Sequence, residues 1–384
     1  MKVLLLIVLI FSGCYLPELS RDIQVISNLL NLLQFGSSPE STTVSDSNPS
    51  DGQNSGSSPS LVGMDAFAFF DLGLANCFDN DSTEICPVVG FPGQASESTH
   101  SKTIYASYTD NVDETVTDNR TGLIWRQCPV GTFGTGCGLG AVNLYNFADA
   151  QTICSTTYGP SWRIPTIKEL STLLHFHSTL PPYVDQSFFP SMGTGTYYSS
   201  TSGGATYHFI SFSQPSTNAN TNFSSTRNVL CVSGTSTTNA LDFVDMADGR
   251  IRDNTTGLEW QRCHSGLNND ATCSDSAIEP DLLNWQNALQ YCSNLTFAGF
   301  SDWRLPNQNE LLSLVDYSIP NPTKFDTLLF NAPTGLNNTR MWSSNVGRVV
   351  GDTQPFMVNP SFGILSPISA ITGSYIARCI RGPN

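Results

Sequence analysis

One eleven-residue stretch occurs twice in this chain, and it limits the possible folds more than any other feature. Residues 118–128 read Asp-Asn-Arg-Thr-Gly-Leu-Ile-Trp-Arg-Gln-Cys, and residues 253–263 read Asp-Asn-Thr-Thr-Gly-Leu-Glu-Trp-Gln-Arg-Cys. The Asp, Asn, Thr, Gly, Leu, Trp and Cys coincide without a gap. Chance does not give that match, so the chain carries a tandem duplication. A length of 384 residues is enough for two units with their own apolar interiors. Only 13% of residues are charged, which suits an extracellular, loop-rich β-type protein better than a cytosolic helical enzyme. The formal net charge of -15 repels phosphate backbones, so nucleic acid is excluded as a partner class. It also disfavours charge-driven binding to sulfated polysaccharides unless a local basic patch exists.

The first thirteen residues read as a signal peptide. Met1 and Lys2 form a short basic start, and Val3 to Phe11 form an apolar run too short to span a bilayer. Phe11-Ser12-Gly13-Cys14 resembles a bacterial lipobox, in which the Cys becomes the lipidated first residue, with Phe11 where Leu is usual. That resemblance implies a membrane anchor at Cys14 and, with Tyr15 following it, sorting to the outer membrane and exposure at the cell surface. Residues 14–60 form a tether. Ile23, Ile26, Leu29, Leu30 and Leu33 fall on one helical face, and 36–60 is a Ser/Pro/Gly-rich spacer that cannot bury a core. Residues 61–105 lead in to the first copy, which spans 106–235; the second spans 236–384. In the lead-in, Asp79, Asp81 and Glu84 crowd a turn between Cys77 and Cys86. The turn lacks EF-hand spacing and reads as a solvated acidic loop, and Ca²⁺ is the one cofactor it could hold.

Without Cys14 ten cysteines remain, an even number suited to disulfides in an exported protein. Equivalent copies should share one pattern. The simplest symmetric one pairs Cys128 with Cys137 and Cys154 with Cys231, then Cys263 with Cys273 and Cys292 with Cys379. Cys77 and Cys86 close a separate loop.

Each copy repeats the same order of local signals. Two short strands flank the turn at 118–122. A Gly-rich excursion from Gly131 to Gly140 follows. A helix is expected over 143–155, with Phe147, Ala150 and Cys154 on one face; its counterpart covers 284–295, with Trp285, Ala288 and Cys292. Next come Trp162-Arg163-Ile164-Pro165 and Trp303-Arg304-Leu305-Pro306. Each precedes a helix whose capping box is Thr166 with Glu169 or Asn307 with Glu310. Arg163 and Arg304 are expected to pair with those glutamates. The Trp125/Trp260 and Trp162/Trp303 pairs read as core anchors rather than as sugar platforms. Beyond these helices each copy turns polar and irregular, with short β segments near 197–200 and 341–344 and a closing strand around Cys231 or Cys379.

The ordered set of Asp-Asn-x-Thr-Gly-Leu-x-Trp, a helix with Ala-x-x-x-Cys, Trp-Arg-[Ile/Leu]-Pro-x-x-x-Glu-Leu, aromatic-Ser-Ser and a last Cys strand resembles the Lcl C-terminal domain family in both copies. The resemblance implies exported bacterial proteins, often lipoproteins. It also implies an α+β fold similar to the C-type lectin-like class, with two helices beside small antiparallel sheets, long loops, and a disulfide from the first helix to the last strand. The family's founding domain is linked to sulfated glycosaminoglycans through a basic surface. This acidic chain lacks the collagen-like repeat, so that specificity does not carry over.

No hydrolase or zinc signature is present, and none of His100, His175, His177, His208 and His264 is shared between copies. The copies differ most over 201–228 and 345–375. Loops on a rigid frame carry ligands, so Tyr207, His208, Phe209, Arg348 and Phe356 are the candidate binding residues. The expectation is a non-enzymatic surface adhesion module for a glycan or matrix ligand. The rivals are a structural protein contacting other envelope proteins and a periplasmic enzyme.

Overall fold

The repeated turn folds identically in both copies. Asp118 is fully buried; its N–H donates to Leu123 O, Gly122 N–H returns to Asp118 O, and its carboxylate accepts from Arg120 N–H. Asp253 does the same with Leu258, Gly257 and Thr255. Gly122 and Gly257 take φ of 69° and 73°, a region open to glycine, which is why both copies keep it.

The structure, a computed structural model, describes residues 77–78, 83–84, 86, 88–94, 107–175, 181–203, 205–235, 241–270, 272–274, 276, 282–319, 324, 326, 329–330, 340–349, 352–368 and 372–382. In the lead-in, β1 (Cys77–Phe78) pairs with β2 (Thr83–Glu84). Copy one runs β3 (Tyr108–Asp110), β4 (Thr115–Asp118), β5 (Ile124–Arg126), β6 (Thr132–Phe133), β7 (Leu139–Gly140), α1 (Phe147–Tyr158), β8 (Trp162–Arg163), α2 (Ile167–Ser171), β9 (Thr196–Gly203), β10 (Thr206–Ser211), β11 (Ser216–Asn220) and β12 (Val232–Ser233). Copy two runs β13 (Phe243–Asp245), β14 (Arg250–Asp253), β15 (Glu259–Gln261), α3 (Trp285–Ser293), α4 (Gln308–Ser313), β16 (Met341–Val349), β17 (Asp352–Asn359), β18 (Ile364–Pro367) and β19 (Ile380–Arg381). The result is an α+β fold of few helices and several small antiparallel sheets.

The two main sheets correspond, with strand orders β3-β4-β5-β12-β8 and β13-β14-β15-β19. A bridge from Arg304 to Ile380 stands where β8 pairs in copy one. All five expected disulfides close, including Cys154–Cys231 and Cys292–Cys379, which tie the first helix of each copy to its last strand. Both capping boxes form. Arg163 grips Glu169 at 2.8 and 2.7 Å, and Arg304 grips Glu310 at 2.8 and 2.6 Å, each through two parallel bonds. Trp125, Trp260 and Trp303 are buried; Trp162 is half-buried beside Tyr158.

Three expectations change. Helix α1 starts four residues later than the apolar spacing suggests. Asn146, not Asn143, accepts the Asp149 N–H at the cap, while Tyr145 is held in an antiparallel bridge to Arg227. The polar stretches after the second helices are not irregular: they form three-stranded sheets, β9-β10-β11 and β16-β17-β18. Nor are the copies separate bodies. One apolar cluster contains Leu170, Leu173 and Leu174 of the first together with Leu311, Leu314 and Val315 of the second. Helices α2 and α4 are buried along their whole length, each against its own three-stranded sheet.

The joint has near two-fold character. Edge strands β11 and β18 lie against each other. Thr217 pairs with Ile210, and Leu365 with Val358, so the two hold equivalent places in their copies. They meet directly: Leu365 N–H donates 2.9 Å to Thr217 Oγ1, which donates 3.2 Å to Gly363 O. Contact between equivalent residues marks an isologous interface. Nearby, the ring of Tyr317 stands edge-on to His208 at 4.9 Å, with Lys168 and Lys324 over its faces at 5.9 and 5.6 Å. The lead-in docks on copy two: Gly90 O accepts from Gln286 and Gln290 of α3, and Phe91 packs on Trp285.

Candidate binding surface

The candidate residues separate according to their place in these sheets. Both faces of β10 and β17 are covered, so side chains that are neighbours in sequence are buried alike. Tyr207, His208 and Phe356 are fully buried, so they are not solvent-facing contacts; that part of the expected surface is corrected. His208 and Phe356 are equivalents, since Ser199 Oγ donates to His208 O and Ser343 Oγ to Phe356 O. Both ring nitrogens of His208 lack a hydrogen-bond partner. Burial, helped by the nearby Lys324 charge, holds its pKa down to about 3, so it is neutral. Arg348 lies on β16, and its side chain is outside what is described. Cys14, Asp79, Asp81, His100 and His177 lie outside the described residues, and only the backbone of Glu84 is inside them. Among the described residues no cluster of three or more His, Cys, Asp or Glu could hold a metal, and no helix is long and apolar enough to cross a membrane.

Phe209 is the candidate that stays partly exposed, and it leads to a site whose centre the sequence did not reveal. The guanidinium of Arg227 lies 3.4 Å from the centroid of the Phe209 ring, with Tyr198 and Tyr207 at 5.8 and 5.7 Å. Its Nη1 donates 2.8 Å to Thr196 Oγ1 and its Nη2 donates 3.4 Å to Tyr207 OH. Phe147 of α1 stacks on Tyr207 at 5.1 Å and meets Phe223 edge-on at 5.2 Å. Phe223 is 38% exposed and ends the shelf in solvent. Tyr198 and Tyr207 anchor the floor by donating their hydroxyls to Ser225 O and Asn222 O. Burial, then the neighbouring Tyr207, raises the Tyr198 pKa, so the Tyr198 hydroxyl keeps its proton.

Arg227 differs in kind from most arginines here. Arg120, Arg126, Arg163, Arg250, Arg262, Arg304 and Arg381 each have a carboxylate partner. Among the described residues Arg227 has none within ion-pair distance. A guanidinium has two N–H groups on each terminal nitrogen, so each keeps one beyond its protein bond.

Copy two has a smaller version with the partners exchanged. The bridge from Tyr145 to Arg227 corresponds to that from Leu283 to Tyr375, and Tyr197–Asn228 to Met341–Ile376. Tyr375 therefore takes the place of Arg227, and Arg340 that of Thr196. Arg340 sits 5.7 Å from the Tyr375 ring, which meets Trp342 edge-on at 4.7 Å. Each copy thus sets one arginine against an aromatic group at the same strand crossing, drawn from opposite strands. The aromatic residues at 197–198, 207 and 209 were a usable signal, but the arginine lies eighteen residues beyond the last of them.

The family model described as the Lcl C-terminal domain matches residues 114–233 and 249–381, the same two units that the sheets define. No curated protein and no solved structure matches the chain. The matched stretches cover well over half of the sequence, and the chain belongs to the Lcl C-terminal domain family as two tandem copies.

Proposed function

We propose that this is an exported envelope protein, lipid-anchored at Cys14 in the outer membrane, that acts without catalysis as a surface adhesion module. It binds an acidic sugar of a glycan or matrix polymer on the Arg227 shelf. The family supports a surface or adhesin-like role. The lectin-like reading is supported by the two helices and small antiparallel sheets of each copy, and by the bridge from first helix to last strand.

The observation that carries the ligand class is the Arg227 guanidinium, stacked on Phe209 without a carboxylate partner and beside exposed Phe223. A planar cation meets a carboxylate or sulfate through paired N–H groups, and an aromatic face covers the apolar C–H face of a sugar ring. With a net charge of -15 the attraction is short-range, so recognition depends on this local geometry rather than on long-range steering.

A glycan and matrix array probed with the full chain, with and without Ca²⁺, tests the reading. The array should return ligands with acidic sugars. R227Q should weaken binding by roughly ten- to a hundredfold, the loss of a charged hydrogen-bond pair, while the melting temperature reports that the fold is kept. F223A should weaken it less. Binding of acidic sugars that is indifferent to both changes, or a profile confined to neutral sugars, overturns the assignment.

A further inference from the structure

The Gly-rich excursion of copy one shows an exposed apolar surface that the adhesion reading does not use. Phe133 is 51% exposed, Leu139 57%, Val142 42% and Leu144 58%. Phe133 and Leu139 face each other across the β6–β7 hairpin, so they project together from one side. Positions 127–148 carry no charged side chain. The hairpin is not a loose loop. Cys128–Cys137 staples it, Glu114 accepts the Gly134 N–H at 2.6 Å, and Arg126 holds that glutamate at 2.6 Å. Gly131 and Gly140 pass so close that a Cβ on either would fall 2.2 Å from a facing backbone oxygen.

Copy two supplies an internal control. Its excursion has the matching staple, Cys263–Cys273, yet its turn is polar. Asp270 accepts from Thr272 and Ser274, and Asn268 donates to Ser274. Leu267 there is turned inward at 9% exposure. Leu282, which holds the place of Leu144, is also 48% exposed; the copies differ at the stapled turn itself, where the described residues of copy two are polar or turned inward and those of copy one are apolar and exposed.

We infer that the 128–146 hairpin is a lipid-contacting tip that seats copy one on the headgroup–acyl boundary of an uncharged bilayer surface. Four exposed apolar side chains on a rigid, charge-free hairpin match that boundary, where Phe and Leu partition and charged groups are costly. A protein partner that reads charge has nothing to engage here, since the stretch offers only neutral polar groups such as Thr135 and Asn143 at its rim. The acidic body favours a zwitterionic over an anionic surface.

Hydrogen exchange on the full chain, with and without phosphatidylcholine vesicles, tests this independently of any other membrane attachment. Exchange in 129–146 should slow roughly tenfold on vesicles in the wild type and stay unchanged in F133N/L139N/L144N. All three residues are exposed, so the variant should keep its melting temperature and its 128–137 bridge. Adding anionic lipid should weaken the protection. Equal exchange with and without vesicles overturns the inference. So does protection that follows protein concentration without lipid, which would make the tip a contact between copies of the chain.

Discussion

Replacing Thr217 by Val tests the joint between the copies with almost no change in volume. The Thr217 hydroxyl is fully buried and serves both copies, accepting from Leu365 N–H and donating to Gly363 O. Gly363 O keeps a second donor, the Tyr317 hydroxyl at 2.9 Å, so it is not orphaned. Leu365 N–H loses its partner in a dry site. One lost bond at about 1 kcal/mol and one stranded donor at about 1–3 kcal/mol give a cost of roughly 2–4 kcal/mol. For a body of this size that is a fall in melting temperature of roughly 3–7 °C. The assay is thermal and urea unfolding of the oxidised chain, followed by far-ultraviolet dichroism and by tryptophan fluorescence. Trp125 and Trp260 are buried in opposite copies, so fluorescence reports both. Both probes should shift together. Thr217→Ser keeps the hydroxyl and should retain most of the stability. A T217V protein as stable as the wild type, or one in which only one probe moves, refutes the argument.

Other outcomes follow from the same contacts. E310A leaves the largely buried Arg304 charge without its partner and removes the glutamate half of the capping box, so it should cost about 3–5 kcal/mol, and the Arg304→Met/Glu310→Leu pair should restore most of that loss in denaturant melts. H208F puts the copy-two residue at an equivalent buried position and removes two unpartnered nitrogens, so it should stabilise by about 1–2 kcal/mol at neutral pH. The folded His208 pKa lies below its unfolded value near 6.5. Wild-type stability is therefore full above pH 6.5 and is lost as pH falls toward 3, and H208F should flatten that slope in melts taken across the range. Removing Cys154–Cys231, which spans 77 residues, should cost about 4.5 kcal/mol, against about 2.6 for Cys128–Cys137 with a span of nine, as judged by denaturant midpoints of the paired-Ala variants.

The features legible in the sequence were those set by local chemistry and by repetition. Capping boxes, helix faces and cysteine pairs depend on spacings of a few residues or on the symmetry of two copies, and Thr166/Glu169, Asn307/Glu310 and all five bridges stand where that logic put them. The three-stranded sheets were missed because β11, Ser-Thr-Asn-Ala-Asn, has the composition of a loop. Its strand pairing is fixed by neighbours and by the facing copy, not by propensity. The part of the joint made by Thr217 leaves no periodic apolar signature, since it is a hydroxyl between two sheet edges that adds to the shared apolar cluster. The Arg227 shelf draws on Phe147, Thr196, Tyr207, Phe209 and Phe223, brought together only by folding. His208 was misleading because a polar residue in a polar stretch looks exposed, whereas Tyr317 of the other copy covers its face of the strand.

The central claim is that two family copies are fused through one apolar core into a single cooperative body. Differential scanning calorimetry of the oxidised full chain tests it most directly. One transition is predicted for the described body, with calorimetric and van't Hoff enthalpies that agree. Two resolved transitions, or a calorimetric enthalpy near twice the van't Hoff value, would mean that the halves melt independently and would contradict the account.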